Sequence, residues 1–382
     1  MNLINNTNEL KDLCNQLSQA EFITVDTEFH RESTYWPLLC LIQLAGPNHS
    51  ACIDTLSPEL DLKPLFQLLV NPNVTKVFHA GRQDLEIFYH KANIIPKPIF
   101  DTQIAAMVCG FGESVGYETL VSKLTKTTVD KSQRFTDWTR RPLTTKQLEY
   151  AISDVIYLRE IYTTLNKKLK LNGRLDWLKD EIEILTNPET YNLDPENAWK
   201  RIKSRDKKPR FLAILKELAG WREKEAQKQN VPRRRIVKDE ILVELAILKP
   251  INDETIKQTR LSKFLIKSKY KNDILDAIRH GKTIPEIDCP KIKTSIKLES
   301  GIGPTVDLLK VLLKIKCEKY DVAIKLIASV NDLQLIASDD EADVPALKGW
   351  RRSLFGEDAI KLKHGKISIS ISEDNKITTT EI

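Results

Sequence analysis

Apolar positions in the first 170 residues follow two alternating spacings. Phe22–Phe29 opens as an apolar, β-branched run, which predicts a buried strand. Leu38–Leu44 and Ala51–Ile53 are short apolar runs on either side of Gly46-Pro47-Asn48 and predict a hairpin. Lys76–Phe78 and Ile99–Phe100 predict two more strands. Helical spacing fills the intervals. It covers Leu10, Leu13 and Leu17 within Asn6–Ala20, then Leu62–Leu69, Leu85–His90, Thr102–Cys109 before Gly110, and Tyr117–Leu124. A long helix over Thr145–Leu169 begins at a Pro142/Thr144 signal. Five strands interleaved with helices predict a mixed α/β sheet covered by helices.

Residues 171–206 are Lys-rich, carry Asn172-Gly173 and Asn187-Pro188 breaks, and predict a linker with one helix. Phe211 to Gly281 is helical and basic, and a second helical unit is expected over 296–365. The final stretch, 366–382, alternates Ile with Ser or Thr, as a short strand or a loose tail would. The composition, 41% apolar and 29% charged, is that of a soluble globular protein of two or three domains. Without a run of about 18 apolar residues or a signal peptide, a cytoplasmic chain with no membrane partner is expected. Six scattered cysteines with no Cys-x-x-Cys pair suggest buried, reduced thiols. The net charge of +6 is uneven: residues 1–165 hold 15 Lys/Arg against 19 Asp/Glu, and the remainder 44 against 34. An acidic front and a basic back suit a metal-binding catalytic unit joined to polyanion-binding modules.

Asp26 and Glu28, two apart on a strand, point the same way and repel each other unless a cation or a proton lies between them. Such hard oxygen ligands suit Mg²⁺ or Mn²⁺. Asp84 follows the Lys76–Phe78 strand at the opening of a helix, where α/β sheets place ligands, although it could simply cap that helix. For Asp101, a cap is the favoured reading. Tyr150 and Asp154, four apart, share one helix face, and a carboxylate among Ile152, Val155 and Leu158 needs a partner.

Together these pieces resemble the ribonuclease D family of the DEDD exonuclease superfamily, with its ribonuclease H-like fold. The likeness runs through Val25-Asp26-Thr27-Glu28-Phe29, Phe78-His79-Ala80-Gly81-Arg82-Gln83-Asp84, Phe100-Asp101-Thr102-Gln103, Asp137-Trp138-Thr139-Arg140-Arg141-Pro142-Leu143 and Tyr150-Ala151-Ile152-Ser153-Asp154. Tyr150 places it in the tyrosine branch. Trp221–Ala226 with Asn230–Val237 resembles the HRDC domain, and Gly349–Gly356 again resembles the family's C-terminus. The resemblance implies an exonuclease domain over 1–170, an HRDC domain over 207–290 and an HRDC-like domain over 296–365.

It further implies a 3′→5′ exoribonuclease that releases 5′-mononucleotides and trims structured RNAs such as tRNA precursors. Asp26, Glu28 and Asp154 would hold one Mg²⁺ or Mn²⁺. Asp26 and Asp84 would serve a second, about 4 Å away. Tyr150 would orient the attacking water. Phe29 is placed to stack on a terminal base or, equally, to fill the core. Arg31, Arg140, Arg141, Arg233, Arg234 and Arg235 are candidate phosphate contacts. A monomer without a nucleotide cofactor is expected. A DNA proofreading exonuclease and an idle RNA-binding scaffold are the rival readings.

Three motifs lead elsewhere and fail. Gly112-Glu113-Ser114-Val115-Gly116 matches a nucleophile elbow, but a helix precedes it rather than a strand. Gly281-Lys282-Thr283 lacks the first glycine of a phosphate-binding loop, since Asp276 stands there. The six histidines show no zinc-ligand spacing.

Overall fold

The computed structural model describes residues 2–130, 132–257, 268–291, 301–374 and 377–382. Its N-terminal unit is a mixed sheet with strand order β1-β4-β3-β2-β5-β6. The strands are β1 (Leu3–Ile4), β2 (Phe22–His30), β3 (Leu38–Ala45), β4 (Ser50–Asp54), β5 (Thr75–Phe78) and β6 (Ile99–Asp101). The sheet thus has six strands where the sequence predicts five. The extra strand, β1, pairs in parallel with Cys52–Ile53, and its two residues are too few to display any period.

β2, the longest strand, lies between antiparallel β3 and parallel β5. Its two faces meet different helices. Ile23 and Val25 join a core with α1 (Thr7–Leu17), α2 (Lys63–Leu69) and α3 (Arg82–Ala92). Thr24, Asp26 and Glu28 alternate to the opposite side, under α6 (Thr145–Leu171). There the Thr24 hydroxyl donates to the Val155 carbonyl at 2.8 Å and fixes how α6 crosses the sheet. Two further helices, α4 (Thr102–Val108) and α5 (Tyr117–Thr125), complete that layer.

Segment 171–206 is more than a linker. Leu185 and Tyr191 complete the core of the sheet, while Ala198 and Ile202 belong to the next one. Trp177 stacks on Trp350, with ring centroids 4.2 Å apart and planes 5° from parallel. Arg351 reaches back to Asp180 and Glu181.

The next core is built around α7 (Pro209–Gln229) and includes Tyr35, a residue of the β2–β3 loop. The Asn230 side chain accepts the backbone N–H groups of Tyr35 and Trp36 at 3.1 and 3.0 Å. The Tyr35 hydroxyl donates to Glu223, which is fully buried, and Arg233 clasps both oxygens of that carboxylate at 2.5 Å. Arg233, expected at an RNA phosphate, is therefore tied to a buried carboxylate. Arg234 and Arg235 are exposed.

The start of the second helical unit, expected at 296, lies outside the described residues. From Gly303 to Lys363 its helices pack around Leu309, Leu312, Leu333, Ile336 and Phe355. Residues 367–371 and 377–381 then pair as an antiparallel hairpin, which favours the strand reading of the tail. All six cysteines are buried and free. Among the described residues no helix is long and apolar enough to cross a membrane.

Burial alone would raise the Glu223 carboxyl, but hydrogen bonds from Arg233 and Tyr35 overcome it and hold the group below its ordinary 4.5. The stability it contributes is therefore full above about pH 4.5 and is lost as pH falls through the lowered folded value. Glu223→Ala should cost about 3–5 kcal/mol in urea denaturation at pH 7, since it leaves Arg233 and Tyr35 without their partner. Arg234→Ala should cost under about 0.5 kcal/mol. Equal costs would contradict a buried latch.

Candidate active site

Three elements converge on one cavity of about 440 Å³. β2 supplies Asp26 to its lining, with Glu28 two residues along the strand. α6 supplies Tyr150 and Asp154, and its start is fixed by a capping box between Thr144 and Gln147. The first turn of α3 supplies Asp84. Asp26, Glu28 and Asp154 can each place one carboxylate oxygen within 4.8 Å of the others.

Asp84 stands just outside this triangle, on the cavity wall. It is buried and accepts a hydrogen bond from the Thr27 hydroxyl. The cap of α3 is Gly81, so Asp84 is free of that duty. Asp101 is the cap it was read to be, accepting the N–H groups of Gln103 and Ile104 at 2.8 and 3.2 Å. It also takes the Gly81 N–H at 2.8 Å, which anchors the turn leading to Asp84. That turn needs glycine, because a Cβ at Gly81 would lie 2.6 Å from the Cβ of Phe78.

Burial raises all four acids, and neighbouring carboxylates add to the rise of Glu28, Asp84 and Asp154. Asp26 is pushed from 3.8 to about 6 and Asp154, beside Asp26, to about 8. Glu28 rises well above its ordinary range through burial and then Asp26, Asp154 and Asp84. Asp84 rises through burial and then Asp26. The Tyr150 phenol and the Arg134 charge work the other way on Asp154. The phenol itself is raised by burial and then by Asp154, Glu28 and Asp26, so it stays protonated and able to donate. A set of hard oxygens that repel one another at this range fits a divalent cation.

The remaining expected residues divide. Phe29 lines the cavity and also packs against the sheet core. Arg31 is held by both oxygens of Glu86, at 2.7 and 3.1 Å. Arg141 braces β4 through Asp54 at 2.6 and 2.8 Å and also binds the carbonyls of Cys40 and Trp138. Both were expected at phosphates, and both are committed to carboxylates. Arg140 is exposed and away from the cavity lining.

The lining also holds polar residues that the sequence did not single out for the site, among them Arg134, Tyr117 and His79. Tyr117 donates to the Ser153 carbonyl at 3.1 Å, beside Asp154. His79 meets the Thr102 hydroxyl at 3.0 Å. The signal for Arg134 was the need of clustered acids for a nearby positive charge. It counteracts the rise of Glu28, Asp154 and Tyr150.

An acid whose folded pKa is raised keeps its proton in the folded chain after the unfolded chain has released it. Stability therefore falls as pH climbs from the unfolded value towards the folded one. With metal chelated, the melting temperature should fall between about pH 4 and pH 8, the span from the ordinary carboxyl to the raised Asp154. Added Mn²⁺ should raise it by several degrees at pH 8 and by less at pH 5.5. Scanning fluorimetry across this range checks both, and an equal Mn²⁺ effect at the two pH values would contradict the clustered acids.

The 3'-5' exonuclease family matches residues 1–170, and the HRDC domain family matches 211–278. Ribonuclease D of Nitrobacter hamburgensis is 49% identical over 374 residues, covering 98% of each chain. Ribonuclease D of Bartonella henselae is 44% identical across all of this chain and 94% of its own. The crystal structure of Escherichia coli RNase D, described as an exoribonuclease involved in structured RNA processing, superposes with a TM-score of 0.80 at 30% identity. That match covers 96% of this chain and 99% of the other. By sequence along its whole length and by fold, this chain belongs to the ribonuclease D family and is a 3′→5′ exoribonuclease.

Proposed function

We propose that the chain trims the 3′ ends of structured RNAs, tRNA precursors among them, as a cytoplasmic monomer. In this reading Asp26, Glu28 and Asp154 hold one Mg²⁺ or Mn²⁺, and Asp26 with Asp84 a second. The observation that carries it is the approach of Asp26, Glu28 and Asp154 to within 4.8 Å, with Tyr150 on the same cavity one helical turn from Asp154. Ions held there would polarise the phosphodiester and acidify a water.

The protein's own groups supply the rest. The Tyr150 phenol, kept protonated, orients the attacking water rather than ionising. Phe29 gives the terminal base an apolar wall. A cavity of about 440 Å³ suits one nucleotide at a time and a 5′-mononucleotide product. The role of the E. coli relative in structured RNA processing supports that substrate class. Exposed Arg234 and Arg235 provide phosphate contacts on the helical side. The packing of 303–363 into a core of its own supports an HRDC-like second module there.

Asp26→Asn or Asp154→Asn should lower turnover on an RNA oligonucleotide by at least about 10³-fold and leave RNA binding largely intact. Tyr150→Phe should lower it on the order of 10²-fold with Mn²⁺ affinity unchanged. Near-normal turnover by Asp26→Asn, or a Tyr150→Phe loss of Mn²⁺ affinity equal to that of Asp154→Asn, would overturn these roles. Replacing Arg234 and Arg235 together by Ala should reduce the salt slope of log K for a folded RNA by about 1.4 to 1.8, near 0.7 to 0.9 per phosphate contact. An unchanged slope would remove those two arginines from the RNA interface.

A further inference from the structure

The loop between α5 and α6 holds two side chains that the fold does not use. Arg134 lines the cavity beside Asp26, Tyr150 and Asp154, yet its side chain is exposed. Among the described residues no carboxylate lies at ion-pair distance from it, whereas Arg31, Arg141 and Arg233 are each tied to one. Its guanidinium lies over the ring of Phe135, 5.3 Å from the centroid. Phe135 is 92% exposed, although a ring of this size is usually covered.

The loop is anchored close to both residues. Thr136 closes a turn onto the Gln133 carbonyl at 3.1 Å, and its hydroxyl accepts from Gln147 at 3.2 Å. Gln147 belongs to the capping box of α6, the helix that carries Tyr150 and Asp154. Trp138, three residues beyond Phe135, is buried. The pair is thus held at the cavity mouth by the element that supplies half of the site.

Charge bookkeeping says what such an arginine is for. The four acids of the site balance two divalent ions and Glu118 adds a further carboxylate to the cavity wall, so a loaded site offers a phosphodiester no excess positive charge beyond the ions' own local field. Residues 1–165 as a whole are acidic. Among the described residues lining the cavity, Arg134 is the one Lys or Arg, and a guanidinium fork suits two phosphate oxygens.

We propose that Arg134 grips the phosphate of the bond being cut while Phe135 stacks on the base just upstream, so that the loop clamps a single-stranded RNA 3′ end. This inference rests on the metal-site reading above. Phe29 would meet the terminal base inside the cavity, and Phe135, outside it, the preceding one. Stacking of this kind tolerates any base.

The test uses the full-length protein with Mn²⁺ and a single-stranded RNA oligonucleotide. Arg134→Met should lower kcat/KM on the order of 10²-fold. Mn²⁺ affinity should hold or tighten, because a positive charge facing the acids has gone. Arg134→Lys should recover part of the loss. Phe135→Ala should raise KM by roughly 5- to 100-fold, the worth of one stacked base. It should have no effect on an oligonucleotide abasic at its penultimate position. Both side chains are exposed, so melting temperatures should stay unchanged. Wild-type kcat/KM in Arg134→Met, or a fall in Mn²⁺ affinity parallel to turnover, would overturn the arginine's role. Equal losses of Phe135→Ala on normal and abasic RNA would overturn the stacking. Asp26→Asn separates the two levels: if it stays active, the site itself is misplaced, and if it is dead while Arg134→Met is normal, only the clamp fails.

Discussion

Like charges forced together are the constraint on which this molecule turns. Asp26, Glu28 and Asp154 come within 4.8 Å of one another, half-buried, and Asp84 adds to the repulsion from the cavity wall. Isolated, such groups would move apart or keep their protons. The scaffold denies them the first option. β2 is paired on both sides, α6 is bound to it through Thr24 and Val155, and Asp101 ties down the turn before Asp84. The folding energy of sheet and helices is thereby set against the acids, and a strained, cation-seeking site results.

The residues bearing this chemistry were largely legible in the sequence, because each obeys a local rule. Asp26 and Glu28 follow strand alternation, and Tyr150 and Asp154 follow the helical turn. Local rules marked both Asp101 and Asp84 as possible caps, and only the family resemblance set Asp84 apart for the site; in the fold Asp101 caps a helix and Asp84 faces Thr27. What it did not carry were relations between distant segments. Arg31, Arg141 and Arg233 looked like phosphate ligands because a charge is visible in sequence and its partner is not. Glu86, Asp54 and Glu223 lie 55, 87 and 10 residues from them. β1 escaped because two residues have no period. Residues 171–206 looked like a tether because their apolar groups are shared among four cores and form a stripe in none.

Arginine thus has two employments here. Where a guanidinium meets a carboxylate away from solvent it serves the fold, as Arg233 does with Glu223. Where it stands exposed over an acid-lined cavity, as Arg134 does, it is left for a ligand. Charge patterns alone cannot separate the two, whereas burial and partners do.

The loop between β2 and β3 leaves the sheet just past the acids and ends inside the helical unit, with Tyr35 as one of that unit's own core residues. Neither half of the chain is complete alone: the sheet would expose a ring, and the helices would have a hole where it fitted. The helical module is therefore not a cassette that evolution or an engineer can shed or exchange freely. Any replacement must bring a socket for Tyr35, so the two halves are bound to diversify as a matched pair.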